Sequence, residues 1–420
     1  ASAPWPNWPT SWLLAQLAVN VGPAFFALAL TTPLLQRWFA ASADARARDP
    51  YFLYAASNVG SFVALLGYPL FLEMHWPLRE QASLWRAAFF AMPGFVLACG
   101  ALVKRGSIAP SSIASPPATI VEWPRRLRWA WFAAAPSSLL LGVTTFITTD
   151  VASMPLLWVG PLALYLLTFV LVFARRQFVS VSWLSRALPI GALALAFQMC
   201  AGLSEPAWLV LGLHLAVFLL AALLGHARLA ADRPAPEQLT EFYLWMSLGG
   251  VLGGLFNSLL APLLFRTVAE YPLALLAACW LRLGAESHAT PANARRPPAS
   301  ELLWPTLLAV LTGALAAWLP KNSALPAQAQ TLVIFGAPLL LCFLLVDTPR
   351  RFALGLGAVF LGATFYTGGF GRTLHVERNF FGVTRMTLSP NGEARQIVHG
   401  RTIHGRQFLD PARAAEPLTF

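Results

Sequence analysis

Glycine spacing is the first feature with chemical potential, and it is concentrated in FYLWMSLGGVLGGLFN, residues 242–257. Glycine-rich stretches either cradle a phosphate between a strand and a helix or let two helices approach closely. Residues 242–257 neither follow a strand nor open a helix, because they lie inside one apolar span. The spacings Gly249–Gly253 and Gly250–Gly254 match GxxxG and predict a face for helix packing. Contact between this face and a substrate is the alternative that remains open.

Polar side chains inside predicted membrane spans are the second candidates, because a buried polar group is costly there and is often functional. They are Asn20, Asn58, Gln198, His214 and Asn257. Asn257 lies one turn beyond Gly253, so its amide is expected to hydrogen-bond across the helix contact. His214, in WLVLGLHLAVFLL, is either a proton relay near neutral pH or a side chain bonded to a neighbouring helix, and we favour the second. The asparagines are interpreted as interhelical contacts.

Catalytic and metal-binding spacings are missing from the sequence. It contains no HExxH, GxSxG or CxxC pattern and no paired carboxylates. The cysteines lie in apolar spans without metal-ligand spacing, so we predict that they are packing residues. They are Cys99, Cys200, Cys279 and Cys342. We therefore predict no catalytic residue and no metal ligand in this chain.

Composition defines the class of protein. The chain has 420 residues, of which 57% are hydrophobic and 11% charged, whereas soluble domains carry about 25% charged residues. Its repeated uncharged runs predict a multi-span helical protein with the lipid bilayer as its partner. The net charge of +11 would suggest nucleic acid in a soluble protein. Here the basic residues cluster at span ends, so we predict topology signals and no nucleic-acid partner.

Twelve apolar spans are predicted. They lie at roughly 12–35, 51–72, 84–103, 129–148, 155–173, 184–203, 206–229, 242–265, 268–283, 302–319, 331–346 and 352–369. No acidic or basic residue lies in the middle of a span, although ion-coupled carriers usually place one there. The predicted fold class is an all-α polytopic membrane bundle of about twelve transmembrane helices, with a short C-terminal β-rich segment.

Basic residues divide the loops between these spans into two alternating sets. The arginine-rich loops hold Arg37, Arg46, Arg48, Lys104, Arg105, Arg125, Arg126, Arg128, Arg175, Arg176, Arg186, Arg228, Arg233, Arg282, Arg295, Arg296, Arg350 and Arg351. The arginine-poor loops hold Arg79, Arg86, Arg266 and Lys321. By the positive-inside rule the arginine-rich loops are cytoplasmic.

The tail has a different pattern from the spans. Alternating apolar and polar residues predict strands in TLHVERNFFGVTRMTL, EARQIVHG and RTIHGRQFL, and Asn391-Gly392 is a strong hairpin signal. We therefore divide the chain into a helical region, 1–369, and the start of a β-rich subdomain, 370–420. The sequence begins at Ala1 and ends in EPLTF, so we expect a fragment cut at both ends.

Five stretches, taken in order, carry a resemblance to a known family. They are DPYFLYAASNVGSFVALLGYP (49–69), VASMPLLWVGPLALYLLTFVLVFARR (151–176), EFYLWMSLGGVLGGLFNSLLAPLLF (241–265), HVERNFFGVTRMTL (375–388) and VHGRTIHGRQFLDPARAAEPLTF (398–420). Together they resemble the bacterial membrane proteins described as fused major-facilitator-like/spermidine synthase-like proteins. The resemblance implies a bacterial inner membrane protein that carries an aminopropyltransferase-like soluble domain.

The resemblance also implies a reaction for the whole protein. In such enzymes a small β-domain precedes a Rossmann-like domain that binds decarboxylated S-adenosylmethionine, and an acidic residue deprotonates the diamine that attacks it. Both the glycine-rich cofactor turn and that acid are expected beyond Phe420, so this fragment is expected to hold no cofactor and to be non-catalytic. By the same resemblance Gln407 is a candidate contact with the cofactor edge. A surface glutamine on a strand is the equal alternative.

Topology and resemblance disagree about the tail. Twelve spans place it on the non-cytoplasmic side, whereas decarboxylated S-adenosylmethionine is cytosolic. Either one late span, 268–283 or 352–369, does not cross, or the soluble domain faces outward and has another substrate.

Three functions from different classes follow from the sequence. The first is the membrane region of a spermidine synthase-like enzyme of polyamine biosynthesis. The second is a major-facilitator-type transporter of polyamines or other small organic molecules, against which the lack of a buried acid counts. The third is an assembly role, with a homo-oligomer formed through the GxxxG face.

Overall fold

The computed structural model describes residues 8–42, 44–105, 121–151, 154, 156–176, 178–282, 299–379 and 382–416. The two ends on which the fragment prediction rests, 1–7 and 417–420, lie outside these residues, as do Phe380 and Phe381 of the ERNFFGV stretch. The described chain is mostly helical, with a small antiparallel sheet near its C-terminus. This confirms a largely helical chain with a C-terminal β-rich segment.

The helices follow the apolar runs of the sequence. They are α1 Pro9–Asn20, α2 Gly22–Ala40, α3 Phe52–His75, α4 Leu78–Arg105, α5 Trp123–Val151, α6 Val159–Phe173, α7 Val181–Ala201, α8 Ala207–Ala231, α9 Pro236–Leu264, α10 Glu270–Trp280, α11 Ala299–Asn322, α12 Ala327–Phe343 and α13 Pro349–Ala363. Local signals mark both ends of α7. The Ser180 side chain caps its first turn, and Gly202, with a φ of +66° in the left-handed region, ends it.

Four of the described helices contain a short π-helical turn. These turns are Tyr68–Leu72 in α3, Ile147–Val151 in α5, Phe256–Leu260 in α9 and Leu332–Gly336 in α12. A π turn inserts one residue into the α-helical repeat and often marks a functional position. The turns in α5 and α12 each adjoin a feature described below.

Span length separates the described helices into two groups. Seven are long and apolar enough to cross a membrane, or eight if α1 and α2, bent by 56°, form one span. The predicted count of twelve is therefore not confirmed. The remaining predicted spans coincide with α6, α10, α12 and α13, which are shorter. A 15-residue helix such as α6 is about 22 Å long, whereas the hydrocarbon core of a bilayer is about 30 Å thick.

The described chain forms two compact units. The first combines Ala1–Arg126, Phe169–Gln177 and Arg233–Trp245, and the second combines Leu127–Thr168, Phe178–Asp232 and Met246–Phe420. The chain does not pass from one unit to the other at residue 370, so the predicted division into 1–369 and 370–420 stays a prediction.

The first unit is centred on an aromatic cluster. Its buried or half-buried rings are those of Tyr51, Tyr54, Phe169, Phe173, Phe242 and Tyr243. Loop contacts surround it: the Tyr51 hydroxyl donates to the Pro234 carbonyl, Arg233 pairs with Asp49, and Arg126 pairs with Glu241.

The second unit holds the main helical core and the sheet. Helices α7, α8, α10, α11 and α13 pack together, and their fully buried side chains include Leu188, Phe218, Leu275 and Phe352. The sheet is a meander of β1 Arg372–Asn379, β2 Gly382–Leu388, β3 Ala394–His399 and β4 Thr402–Phe408.

The sheet has one buried and one open face. Ala394, Gln396 and Val398 of β3 are buried, whereas the alternate residue Ile397 is exposed and pairs with the exposed Met386. The predicted hairpin lies between β2 and β3, where Gly392 has a φ of +74°, as such a turn requires.

Candidate functional site at the junction of sheet and helices

A buried ion pair joins the first strand to α10. Arg378 of β1 donates from Nη2 to Glu270 Oε1 at 2.6 Å and from Nη1 to Oε2 at 3.0 Å. The two side chains are 9% and 4% exposed. Arg378 Nη1 also donates to the Thr267 carbonyl at 2.6 Å. Two-point pairing of this kind is strong and directional, so it fixes both the position and the angle of β1 on the helices.

A second attachment lies at the turn between β3 and β4. The guanidinium of Arg401 donates to the carbonyls of Gly202 and Leu203, the latter at 2.8 Å. Burial lowers the pKa of Arg401 from its usual value, and the two carbonyls compensate part of the lost hydration. Gly400, with φ of +56°, packs on α5, because an added Cβ would lie 3.0 Å from the Thr149 carbonyl oxygen. The hairpin and the helix ends therefore fit closely.

Asp150 lies in the π turn that ends α5, beside this hairpin. Thr149 Oγ1 donates to its Oδ2 at 2.9 Å, and its Oδ1 faces Gly400. The nearby positive charges are those of Arg401 and Arg385. The side chain is half-buried, with Gly400 of the hairpin beside it.

His214 is the centre of a buried hydrogen-bond network in the helices. Its Nδ1 lies 2.6 Å from the Tyr271 hydroxyl and its Nε2 lies 2.9 Å from Gln198 Oε1. Since Gln198 uses its amide nitrogen to donate to the Leu203 carbonyl at 2.7 Å, its oxygen accepts from His214. The neutral histidine then carries its proton on Nε2, and Tyr271 donates to Nδ1. The Phe146 ring stacks on the imidazole at 4.1 Å.

This network connects the two attachments of the sheet. Tyr271 follows Glu270 in α10, and the Leu203 carbonyl that accepts from Gln198 also accepts from Arg401. The polar atoms of His214, Tyr271 and Gln198 all have partners. The arrangement therefore braces the junction and leaves none of these groups open to a ligand.

The GxxxG face packs inside the chain. A Cβ added at Gly249 or Gly253 would overlap the carbonyl oxygen of Ala130 or Ala134 in α5. Asn257 Nδ2 donates to Ser138 Oγ on the same side of α9. In contrast, Gly250 has open space and Gly254 is 3.9 Å from a Leu141 methyl group. Of the four glycines, only Gly250 and Gly254 stay open to a second copy of the chain, and an oligomer through this face stays a prediction.

The other predicted residues take no part in the contacts of the junction. Asn20 and Asn58 donate to carbonyls of Gln16 and Tyr54 in their own helices, both at 2.8 Å. Gln407 is exposed on β4 and pairs in register with Arg395. No disulfide is recorded in the described chain, and its residues contain no group of three or more metal-ligating side chains.

Sequence reasoning did not find Glu270, Tyr271, Arg378 or Arg401. The expected lack of a buried acid is wrong, because Glu270 lies at the start of predicted span 268–283 and is buried. Its position carries a usable signal, since an acid in an apolar span needs a partner. That partner lies 108 residues away, so its identity depends on the fold and not on any local spacing.

Contacts in the second unit keep the two sets of loops separate: the sheet contacts arginine-poor loops, and arginine-rich loops contact one another. The sheet contacts residues 149–150, 202–203 and 265–270, all in or beside arginine-poor loops. Other contacts join arginine-rich loops: Arg282 donates to the carbonyls of Ser185 and Val346 at 2.7 and 2.8 Å, and Arg228 donates to the Arg282 carbonyl at 3.0 Å. The helices between these loops therefore run from one group to the other.

Comparison with protein-family models, with the curated proteins and with the solved structures finds no match for this chain.

Proposed function

We propose that the chain is the membrane-embedded region of a spermidine synthase-like protein and that its helices hold the β-rich segment at one surface of the bilayer. The observation that carries this proposal is the buried pair of Arg378 and Glu270. A sheet joined to the helices only through the chain would not need a buried charge pair where β1 meets α10. The spermidine synthase-like identity itself rests on the sequence resemblance.

The sorting of the loops supports α7, α8 and α10 as crossing helices, because each joins a loop of one group to a loop of the other. Of these, α10 is the short one, with 11 residues. Local thinning of the bilayer, or apolar residues flanking the helix, can accommodate a span that is several ångströms short.

The same sorting supports an outward-facing sheet. The loops beside it are arginine-poor, and the positive-inside rule assigns such loops to the non-cytoplasmic side. In a bacterial inner membrane this surface faces away from cytosolic decarboxylated S-adenosylmethionine. Aminopropyl transfer to a polyamine precursor is what the resemblance implies. An outward sheet would require the related domain to act on another substrate.

Gln407 provides a test of whether the protein binds decarboxylated S-adenosylmethionine. Its side chain lies on β4 and is open to solvent, so a nucleoside placed over the sheet would reach it. The product of the complete reading frame would be assayed for aminopropyl transfer from decarboxylated S-adenosylmethionine to putrescine in vesicles of both orientations. We expect Gln407→Ala to raise KM for the donor and Arg406→Ala, which alternates with it along β4, to leave KM unchanged. Absence of transfer in both orientations would remove the aminopropyltransferase assignment.

A major-facilitator-type carrier is the alternative. The buried network around His214 is the feature that most resembles a transport site, since it lies between membrane helices. Its groups are nevertheless paired with one another, which leaves no free donor or acceptor for a polyamine. Uptake of labelled spermidine into vesicles, lost in His214→Phe, would favour the carrier over the scaffold.

A further inference from the structure

An apolar groove runs along the surface of the second unit between α7 and α12. Its volume is about 510 Å³. One wall carries Ile190, Leu193 and Phe197, and the other carries Gly336, Leu339 and Phe343. The groove opens to the surface, since Ile190 is 62% exposed and Leu340 beside it is 72% exposed. Its lining offers no hydrogen-bond partner, so it suits a hydrocarbon chain.

Local backbone geometry produces the groove. The π turn Leu332–Gly336 interrupts the regular surface of α12, and Gly336 removes a side chain where the two walls meet. A Cβ added there would lie 4.0 Å from the Phe197 ring. A larger residue would therefore extend into the space between the helices.

A basic cluster lies at one end of this groove. Arg282 ties the two walls together there by donating to the carbonyls of Ser185 on α7 and Val346 after α12. Arg186 follows Ser185 and precedes Ile190 by one helical turn, so it shares the groove face of α7. Arg350 follows Val346 in the sequence and lies at the start of α13. Asp347 is the opposing acid in this segment, which leaves the cluster net positive.

The donors of this cluster are not all used by the protein. The side chains of Arg186 and Arg350 are exposed, and neither has a hydrogen-bond or ion-pair partner among the described residues. Arg282 Nη1 is buried and has no hydrogen-bond partner. Guanidinium groups are suited to phosphate, and basic pockets between membrane helices on the cytoplasmic side bind anionic headgroups.

We propose that this groove binds one anionic phospholipid, with an acyl chain between α7 and α12 and its phosphate at Arg186 and Arg350. The arginine-rich loops that form the cluster are those predicted to be cytoplasmic, where the anionic headgroups of a bilayer lie within reach. The site is separate from the sheet junction and does not depend on the proposed enzymatic identity.

Native mass spectrometry of the purified chain in detergent tests the site, with dioleoylphosphatidylglycerol and dioleoylphosphatidylcholine titrated separately. We expect one retained lipid and tighter binding of the glycerol lipid. Since each basic residue near an anionic headgroup contributes about 1 kcal/mol, Arg186→Gln and Arg350→Gln should each weaken that binding about fivefold. The phosphatidylcholine affinity should not change. Arg79→Gln, an exposed arginine of the other loop set, is the matched control.

A second variant separates the groove from the charges. Ile190→Trp fills the groove from an exposed position, so it should fold normally and lose both lipids. Leu263→Trp, at a position 82% exposed elsewhere on the apolar surface, should lose neither. Equal wild-type affinities for the two lipids would overturn the proposal. It would also be overturned if the preference was undiminished in both arginine variants or if Ile190→Trp kept its lipid.

Discussion

The two compact units use similar apolar helices in different ways. In the first unit, no residue is buried in the most apolar stretch of Leu78–Val103, and 11% of the residues are buried in that of Phe52–His75. In the second unit, the corresponding values are 39% for Val181–Ala201 and 44% for Ala207–Ala231. Hydropathy alone does not distinguish them, because Leu78–Val103 is as apolar as spans that pack closely. The helices of the second unit bury much of their apolar surface against one another, whereas those of the first unit leave most of theirs exposed.

The glycines and the ion pairs of the two units differ in the same way, with closer packing in the second unit. Gly60 and Gly94 in the first unit have open space around them, whereas Gly249 and Gly253 in the second are pressed against backbone. The ion pair of Arg126 and Glu241 in the first unit is 21% and 29% exposed, against 9% and 4% for Arg378 and Glu270. A glycine or an ion pair therefore constrains the fold only where another helix or strand packs against it.

The largest expected effect concerns the buried ion pair. Arg378→Met leaves the Glu270 carboxylate buried without its partner, which costs about 3–5 kcal/mol. Arg126→Met removes a partly exposed pair and should cost at most about 1 kcal/mol. Unfolding in mixed detergent micelles would compare the two, and hydrogen exchange of β1 to β4 should rise only in Arg378→Met. Equal losses would contradict the proposed difference between the pairs.

Close helix approach is expected to give the next largest effect. A methyl group at Gly253 overlaps the Ala134 carbonyl, so Gly253→Ala forces α9 away from α5 and should cost about 1–3 kcal/mol. Gly60→Ala, in open space, should be neutral or slightly stabilising because alanine is the better helix former. The same unfolding measurement applies. A Gly253→Ala protein as stable as Gly60→Ala would show that α5 and α9 do not touch at this face.

The His214 network is expected to give a smaller effect. His214→Phe keeps the ring stacked on Phe146 but leaves the Tyr271 hydroxyl and the Gln198 oxygen without their partner. Hydrogen bonds between membrane helices average about 0.6 kcal/mol and reach about 1.7, so a loss in that range is expected. Asn58→Leu in the first unit breaks a bond within one helix and should have a smaller effect. A loss above 3 kcal/mol in His214→Phe would mean that the histidine does more than brace the junction.

Much of the fold was predictable because its signals are local. Apolar runs predicted the helices, and strand alternation with Asn391-Gly392 predicted the sheet and its hairpin. Gly249 and Gly253 lie against α5, and Asn257 donates to Ser138; the role of this face in assembly stays a prediction. Helix length was less predictable, since α6 begins at Val159, after the start of its predicted span at 155, and α10 ends at Trp280, before the end of its predicted span at 283.

The junction could not be predicted because its partners are distant in sequence. Arg378 reads as an ordinary polar position of an alternating strand, and Arg401 as a turn residue. Only the folded arrangement brings them to Glu270 and to the end of α7. Asp150 likewise has no local signal that distinguishes a solvated carboxylate from one packed against a hairpin.

The side of the membrane on which the sheet lies is the most direct test of the central proposal. Alkaline phosphatase or green fluorescent protein would be fused in turn after Phe420, in a bacterial host. We expect an active phosphatase and no fluorescence, because the sheet contacts arginine-poor loops. Fluorescence with inactive phosphatase would contradict the outward-facing scaffold, and it would place the sheet within reach of cytosolic decarboxylated S-adenosylmethionine.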